Sequence, residues 1–334
     1  MFCNVRPAVA RTDEAICAIA VDAEEDFDWH TPVHGVDYST RCMDRTRTLQ
    51  DILKAYGAVP TYLLSYPILE NPDALRVVRR QFDRGECAVG AHLHPWVNPP
   101  FDGAAPPSAF YSYSGNLDPQ VEERKLVALT RRITECFGER PQIYRAGRYG
   151  LGRHSAGLLE RLGFTIDTSV APHTRLAADG GPDYTGHDHQ LFWFGERSRL
   201  LGIPLCRGVV GWSGPLAPRL YQTVSTPALA RLRAPSVLTR SRCAERITLS
   251  PEGNDLGAMR RLVRRLYEGG QRVFVLSFHS SSLAVGRNPY VRTKAELHGF
   301  FDRLSAILDH MAGRYAMRFA RLGEIPAYLE APAP

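Results

Sequence analysis

Two histidines one residue apart, His92 and His94, stand in the segment Val89-Gly90-Ala91-His92-Leu93-His94-Pro95-Trp96. Side chains at i and i+2 of an extended chain leave the same face. The pair can therefore aim two imidazoles at one point, which is what a divalent metal takes from nitrogen ligands. A second concentration of chemistry is Asp22-Ala23-Glu24-Glu25-Asp26-Phe27-Asp28, five carboxylates in seven residues directly after an apolar run. So much negative charge beside buried backbone calls for a cation or protons to neutralise it. Asp22 and Glu24, again two apart, can divide the work of base and metal ligand. Two histidines and one carboxylate leave open positions on a zinc-like ion for water and a substrate carbonyl. The ion would lower the pKa of that water, and a nearby carboxylate would take its proton.

These residues need rigid elements to bring them together. Residues 15–21 form a continuous apolar run that predicts a buried parallel strand ending at Asp22. Residues 59–64, 87–92, 142–146, 164–167 and 273–279 predict further strands, and a short one is expected near 316–319. Helical patterns fall between them at 40–56, 72–84, 119–137, 154–162, 255–268 and 293–311. The loop 95–115 carries Phe101, Phe110, Tyr111 and Tyr113, and its length and aromatics predict a lid or substrate rim. Residues 170–251 are irregular. Strand and helix alternate with no break in composition, which predicts an α/β fold on a parallel sheet. Asp22, His92, Arg145, Asp167 and His279 all fall at carboxyl ends of strands, where a parallel barrel gathers its βα-loops. An open doubly wound sheet would place them similarly, but no Gly-x-Gly-x-x-Gly or phosphate loop accompanies it. The expectation is a single barrel-like domain over residues 15–330, with an N-terminal extension at 1–14 and an irregular insertion at about 170–251.

Composition removes several classes of function. With 44% hydrophobic and 23% charged residues, the 334-residue chain reads as an ordinary soluble globular protein. Its net charge of +6 rests on arginine, since the lysines are only Lys54, Lys125 and Lys294. Arginine pairs such as Arg79-Arg80 and Arg264-Arg265 lie on expected helix faces, so they read as solvated surface, with a mild attraction to anionic substrates. No basic tail, zinc finger or aromatic-basic RNA motif is present, and no nucleic-acid partner is expected. Nothing approaches a membrane span. The seven scattered cysteines read as reduced thiols, and the charged N-terminus does not read as a signal peptide, which together predict a cytoplasmic protein. The oligomeric state is not encoded in any motif.

Five segments occur in one order: Asp22-x-Glu24 after the first strand, His92-x-His94-Pro95-Trp96, Tyr144-Arg145-Ala146-Gly147-Arg148-Tyr149-Gly150, Ile166-Asp167-Thr168-Ser169, and Leu276-Ser277-Phe278-His279. In that order the chain resembles the polysaccharide deacetylase (NodB-homology, carbohydrate esterase family 4) superfamily, over about residues 15–319. The stretch from Phe278 to Tyr290 is similar to its WalW-like branch. The resemblance implies a distorted (β/α) barrel and metal-dependent removal of an acyl group from an amino sugar, a glycan precursor or an aminoglycoside-like metabolite. It implies Asp22 as general base, Glu24, His92 and His94 as ligands of one divalent ion, most simply zinc, and His279 as the general acid. Arg145 would orient the base, and Asp167 would tune His279 through a carboxylate–imidazole contact. Trp96, Tyr149 and Tyr290 are the expected substrate contacts.

The chain departs from the family at three places. Its first motif has Asp22 and Glu24 one residue apart instead of adjacent aspartates, so Glu25 or Asp26 stays open as the ligand. The histidines are closer than the family's usual spacing, leaving Asp26 or water as a substitute for His94. The usual proline after the arginine is missing, which leaves Arg148 as an alternative to Arg145. His187 and His189, in a polar loop, are expected to be loop residues, and Trp193 and Trp212 can stack on a sugar or pack in the core. A different metal amidohydrolase and a non-catalytic carbohydrate-binding barrel are the competing readings.

Overall fold

The computed structural model describes residues 2–11, 13–26, 39–101, 108–226 and 234–330. Phe27 and Asp28 of the acidic run, and residues 102–107 of the aromatic loop, lie outside the described residues. In chain order the strands are β1 (Arg6–Pro7), β2 (Ile16–Ala23), β3 (Thr61–Leu64), β4 (Ala88–Leu93), β5 (Ile143–Ala146) and β6 (Ile166–Asp167). There follow β7 (Phe192–Phe194), β8 (Leu200–Gly202), β9 (Arg207–Val210), β10 (Glu245–Thr248), β11 (Val273–His279) and β12 (Arg318–Phe319). The main sheet runs in the order β1-β7-β8-β6-β5-β4-β3-β2-β11, with β12 also on β2. From β8 through β11 every pairing is parallel, and β7 and β1 add an antiparallel edge.

Side-chain alternation decides which way each strand faces. Ile16, Ala18 and Ala20 of β2 share one buried cluster with Leu63 of β3, Ile143 of β5, Ile166 of β6, Leu201 of β8 and Val275 of β11. Strands from both ends of the parallel run thus meet in one interior, so the sheet is curled in the manner of a barrel, although no described pairing joins β8 to β11. The alternate residues Cys17, Ile19 and Val21 face outward into the larger core beneath the helices. Those helices include Pro119–Phe137, capped by Asp118, Leu256–Glu268, capped by Asp255, and Lys294–Tyr315, capped by Thr293 with Glu296 in a capping box. Gly90 belongs to the inner face of β4, where a Cβ would meet Leu63 Cδ2 at 2.7 Å and the Ile143 carbonyl oxygen at 2.9 Å. Only glycine lets the strands approach this closely.

Most expected elements are present, with shifted ends. The first expected strand runs one residue past Asp22, to Ala23, so Asp22 lies within it with a neighbour strand on either side. The expected 40–56 helix opens with a 3-10 turn, Arg41–Arg45, before the α-helix Thr46–Lys54. Part of the 95–115 loop is ordered into 3-10 turns at Phe110–Ser112 and Ser114–Asn116. The irregular 170–251 stretch supplies β7 and β8 to the main sheet and forms a separate two-stranded antiparallel sheet from β9 and β10. Among the described residues no helix is long and apolar enough to cross a membrane.

Candidate active site

The period of two that packs the interior also carries polar residues to its mouth. On β2, the inward series Ile16, Ala18, Ala20 continues to Asp22; on β11, Val273 and Val275 continue to Ser277 and His279; on β5, Ile143 leads to Arg145. Strand register then sets neighbours: Asp22 lies level with His279, and His92 with Arg145. All of this opens into a cavity of about 460 Å³ lined by Asp22, Glu24, His92, His94 and His279 among others.

The centre is a group of three donors. His92 Nε2 lies 3.2 Å from Glu24 Oε2, His94 Nε2 lies 3.3 Å from the same oxygen, and the two Nε2 atoms are 3.0 Å apart. Their far sides fix the tautomers. His92 Nδ1 is 3.0 Å from the Arg145 carbonyl oxygen, which can only accept, so Nδ1 carries the proton. His94 Nδ1 donates to Glu25 Oε1 at 2.7 Å, and the other oxygen of Glu25 accepts from Ser65 Oγ at 2.7 Å. With the Nδ1 protons committed in this way, each ring in its neutral form would turn an Nε2 lone pair toward the other ring and toward a carboxylate oxygen. Three such acceptors repel unless a proton or a cation stands between them. The second oxygen of Glu24, Oε1, is buried with no hydrogen-bond partner. A divalent cation resolves both conflicts, and separations of 3.0–3.3 Å suit the edges of a tetrahedron with bonds of about 2.0–2.1 Å. Among the described residues Glu24, His92 and His94 are the only group of three such side chains able to share an ion. Although burial pushes the Glu24 carboxyl up, His279, His92 and His94 hold it well below the usual range. Burial alone would lower His94, yet without a cation Glu25 and Glu24 outweigh it and raise the imidazole to about 10, so that a proton fills the place a cation would take.

Two charged couples flank the three donors. Arg145 is fully buried; its Nη1 donates to Asp22 Oδ1 at 2.5 Å, its Nε to the Thr168 carbonyl at 3.1 Å and its Nη2 to Thr168 Oγ1 at 3.0 Å. On the other side His279 Nε2 is 3.7 Å from Asp22 Oδ2, while its Nδ1 donates to Glu252 Oε2 at 2.8 Å. Glu252 also accepts from the His279 backbone N–H at 2.9 Å and from the Ser282 hydroxyl at 2.5 Å. Burial alone would lower His279, but Glu252, Glu24 and Asp22 together raise it to about 10. The chemical capacity is a carboxylate aimed by a guanidinium on one side and a protonated imidazole aimed by a carboxylate on the other.

Several expectations change in this light. Of the three acids left open, Glu24 reaches the histidines, Glu25 stands behind His94, and Asp26 turns toward Arg287 at 3.6 Å. Arg148 adopts a positive φ of 52° and reaches Asp179 and the face of Tyr113, so Arg145 is the arginine at Asp22. The expected contact between Asp167 and His279 is corrected: Asp167 accepts from its neighbour Ser169, at 2.6 Å from the hydroxyl, and burial raises it to about 6. Glu252 makes the carboxylate contact to His279 instead. No spacing or composition marked it, because it sits in a Pro-Glu-Gly-Asn turn at the end of the irregular stretch. Trp96 is also corrected, since it stacks on His94 with centroids 4.3 Å apart and is not among the residues lining the cavity. Tyr149 and Tyr290 do line it. His187 packs against Phe2 and Tyr184, Trp193 is buried in β7, and Trp212 is exposed.

No family model matches the chain. A peptidoglycan deacetylase-like protein of Gibberella zeae is 30% identical over 116 residues, which are 34% of this chain and 29% of that protein. The chain thus spans less than a third of the length of this relative. Among solved structures, a candidate polysaccharide deacetylase of Mycobacterium smegmatis aligns over 99% of both chains with a TM-score of 0.50 and 16% identity. The two share a fold. The peptidoglycan deacetylase PdaC of Bacillus subtilis aligns over 94% of this chain and 91% of its own, with a TM-score of 0.43 and 11% identity.

Proposed function

We propose that this protein is a metal-dependent deacetylase of the polysaccharide deacetylase superfamily that removes an N-acetyl or related acyl group from an amino sugar. The observation that carries the reading is one cavity in which the donors Glu24, His92 and His94 lie between an Asp22–Arg145 couple and a His279–Glu252 couple. Glu24, His92 and His94 would hold a zinc-type ion, which would supply a Lewis acid and lower the pKa of a nearby water. Asp22, aimed by its bond from Arg145, is placed to take a proton from an attacking water. His279, held protonated by Glu252, gives its Nε2 proton to the leaving nitrogen, turning a poor leaving group into a neutral amine. Glu25 and the Arg145 carbonyl keep the two metal-facing imidazoles in the right tautomer. Tyr149 and Tyr290 border the space where the sugar lies. The stretch from Phe278 to Tyr290, similar to the WalW-like branch, contributes Ser282 to the support of Glu252. The seven free thiols support a reducing, cytoplasmic setting.

The test is a metal assay joined to an acetate-release screen over N-acetylated sugars. Purified protein is expected to hold about one divalent ion per chain. Asp22→Asn is expected to keep that ion and lose about 10²–10⁴ in turnover. Turnover that survives complete chelation, or an Asp22→Asn variant as active as wild type, refutes the reading.

A further inference from the structure

The wall of the cavity away from the three donors is cationic. It is built by the two-stranded β9–β10 sheet, in which Arg207 lies directly across from Thr248, and Arg246 is two residues before Thr248 on the same face. Arg207, Arg246 and Thr248 all line the same cavity as His92 and His279. Among the described residues neither arginine forms an ion pair. Arg207 donates through Nε to Thr248 Oγ1 at 2.7 Å and through Nη1 to Thr174 Oγ1 at 2.5 Å, both uncharged acceptors. Those bonds use two of its five N–H donors. Arg246 donates to the His173 carbonyl at 3.0 Å and lies 5.8 Å from the Tyr221 ring centroid.

The carboxylates of the cavity are already engaged: Asp22 with Arg145, Glu252 with His279, and Glu24 with the histidines. Burial lowers Arg207 to about 10, and the charge of Arg246 pushes in the same direction. Like charge from Arg246 on the partly buried Arg207 guanidinium carries a cost that an anion bound between the two would offset. Tyr149 and Tyr290 line the same cavity: burial raises both phenols, and Arg207 opposes the rise in each, joined at Tyr149 by Arg145.

We propose that Arg207 and Arg246 form an oxyanion subsite, and that the substrate is an acylated amino sugar bearing a phosphate ester or a carboxylate, its acyl nitrogen lying at the Glu24–His92–His94 end. The sugar in this statement rests on the deacetylase reading; the oxyanion does not. A cavity of about 460 Å³ holds a mono- or disaccharide with one such group. A polycationic aminoglycoside-like substrate is disfavoured by the same two charges.

The experiment measures binding of three probes to the metal-loaded protein by calorimetry: N-acetylglucosamine, N-acetylglucosamine 1-phosphate and N-acetylmuramic acid. Inorganic phosphate is titrated separately into chelator-treated protein, so that anion binding at the ion is not counted. At least one charged sugar is expected to bind about tenfold or more tightly than the neutral one, which of the two naming the oxyanion. That ratio is expected to fall toward unity in Arg207→Gln/Arg246→Gln, with metal content unchanged. Arg246→Gln alone, at an exposed position, is expected to reduce the ratio partially and serves if the double variant does not fold. Equal binding of charged and neutral sugars by wild type overturns the inference, as does a ratio that the double variant retains. Arginine-dependent anion preference without deacetylation of any probe upholds the subsite and overturns the deacetylase reading. Turnover of neutral sugar without anion preference does the reverse.

Discussion

Glu252→Gln is the substitution that most directly probes how His279 is held. The carboxylate takes three hydrogen bonds, from the His279 backbone N–H, from His279 Nδ1 and from Ser282. A glutamine that keeps its carbonyl toward the backbone N–H and Ser282 turns its NH₂ toward Nδ1. The imidazolium would then face a donor with a donor. Loss of a charge-assisted bond to a buried ion is worth about 1.5–3 kcal/mol, or about one to two pK units, and the donor conflict adds to it. His279 is therefore expected to move down from about 10 by two units or more. A divalent ion at Glu24 offsets part of what Glu24 contributes in both proteins, so the difference between them survives. Two assays check this on metal-loaded protein: the NMR titration of the His279 ring, and the pH dependence of kcat for acetate release. In the variant the high-pH limb is expected to fall about two pH units earlier, so the loss of activity is larger at pH 8 than at pH 6. Coincident limbs, or an unmoved titration, would refute the assignment of Glu252 as the group that keeps His279 protonated.

Three further outcomes follow from the same geometry. Gly147→Ala places a Cβ 2.5 Å from both His94 Cδ2 and the Leu93 carbonyl oxygen; it is expected to weaken zinc binding about tenfold or more in a chelator competition and to cost about 1–3 kcal/mol in denaturant unfolding. Arg145→Met removes the partner of a buried carboxylate, so about 3–5 kcal/mol of stability is expected to be lost; a variant as stable as wild type would mean Asp22 is compensated elsewhere. Glu122, buried in the helix Pro119–Phe137, is raised by burial from 4.5 to about 7, with Ser155 and Ser114 pulling it back. The folded state then holds this proton longer than the unfolded one, so stability falls as pH rises from about 4.5 to 7, by about 3 kcal/mol in all. Glu122→Gln is expected to match wild type near pH 4.5 and exceed it at pH 8, and parallel pH profiles of unfolding would refute this.

Much of the site could be read from the chain because side-chain alternation is a local property. The apolar run before Asp22 and the His-x-His pair after residues 87–91 encode both a buried strand and the face its last polar residues use, before any partner strand is known. The same holds for residues 273–279, where Val273, Val275 and His279 keep one face. Asp167 was legible as a strand-end acid but not as to its partner, since its Ser169 neighbour satisfies it two residues on. Trp96 was legible as an aromatic beside the histidines; only packing decides that it covers the back of His94.

The amino-acid order by itself thus determined the α/β class, the strands that end in acids and imidazoles, and the short set of groups able to hold an ion. The folded chain alone decided which of three neighbouring acids faces the histidines, that Glu252 grips His279, and that the small sheet carrying Arg207 and Arg246 lines the cavity with positive charge. The physical reason is distance along the chain. Alternation and capping act over a few residues, whereas Asp22 meets His279 only because β2 and β11, more than two hundred residues apart in sequence, pair side by side in the curled sheet.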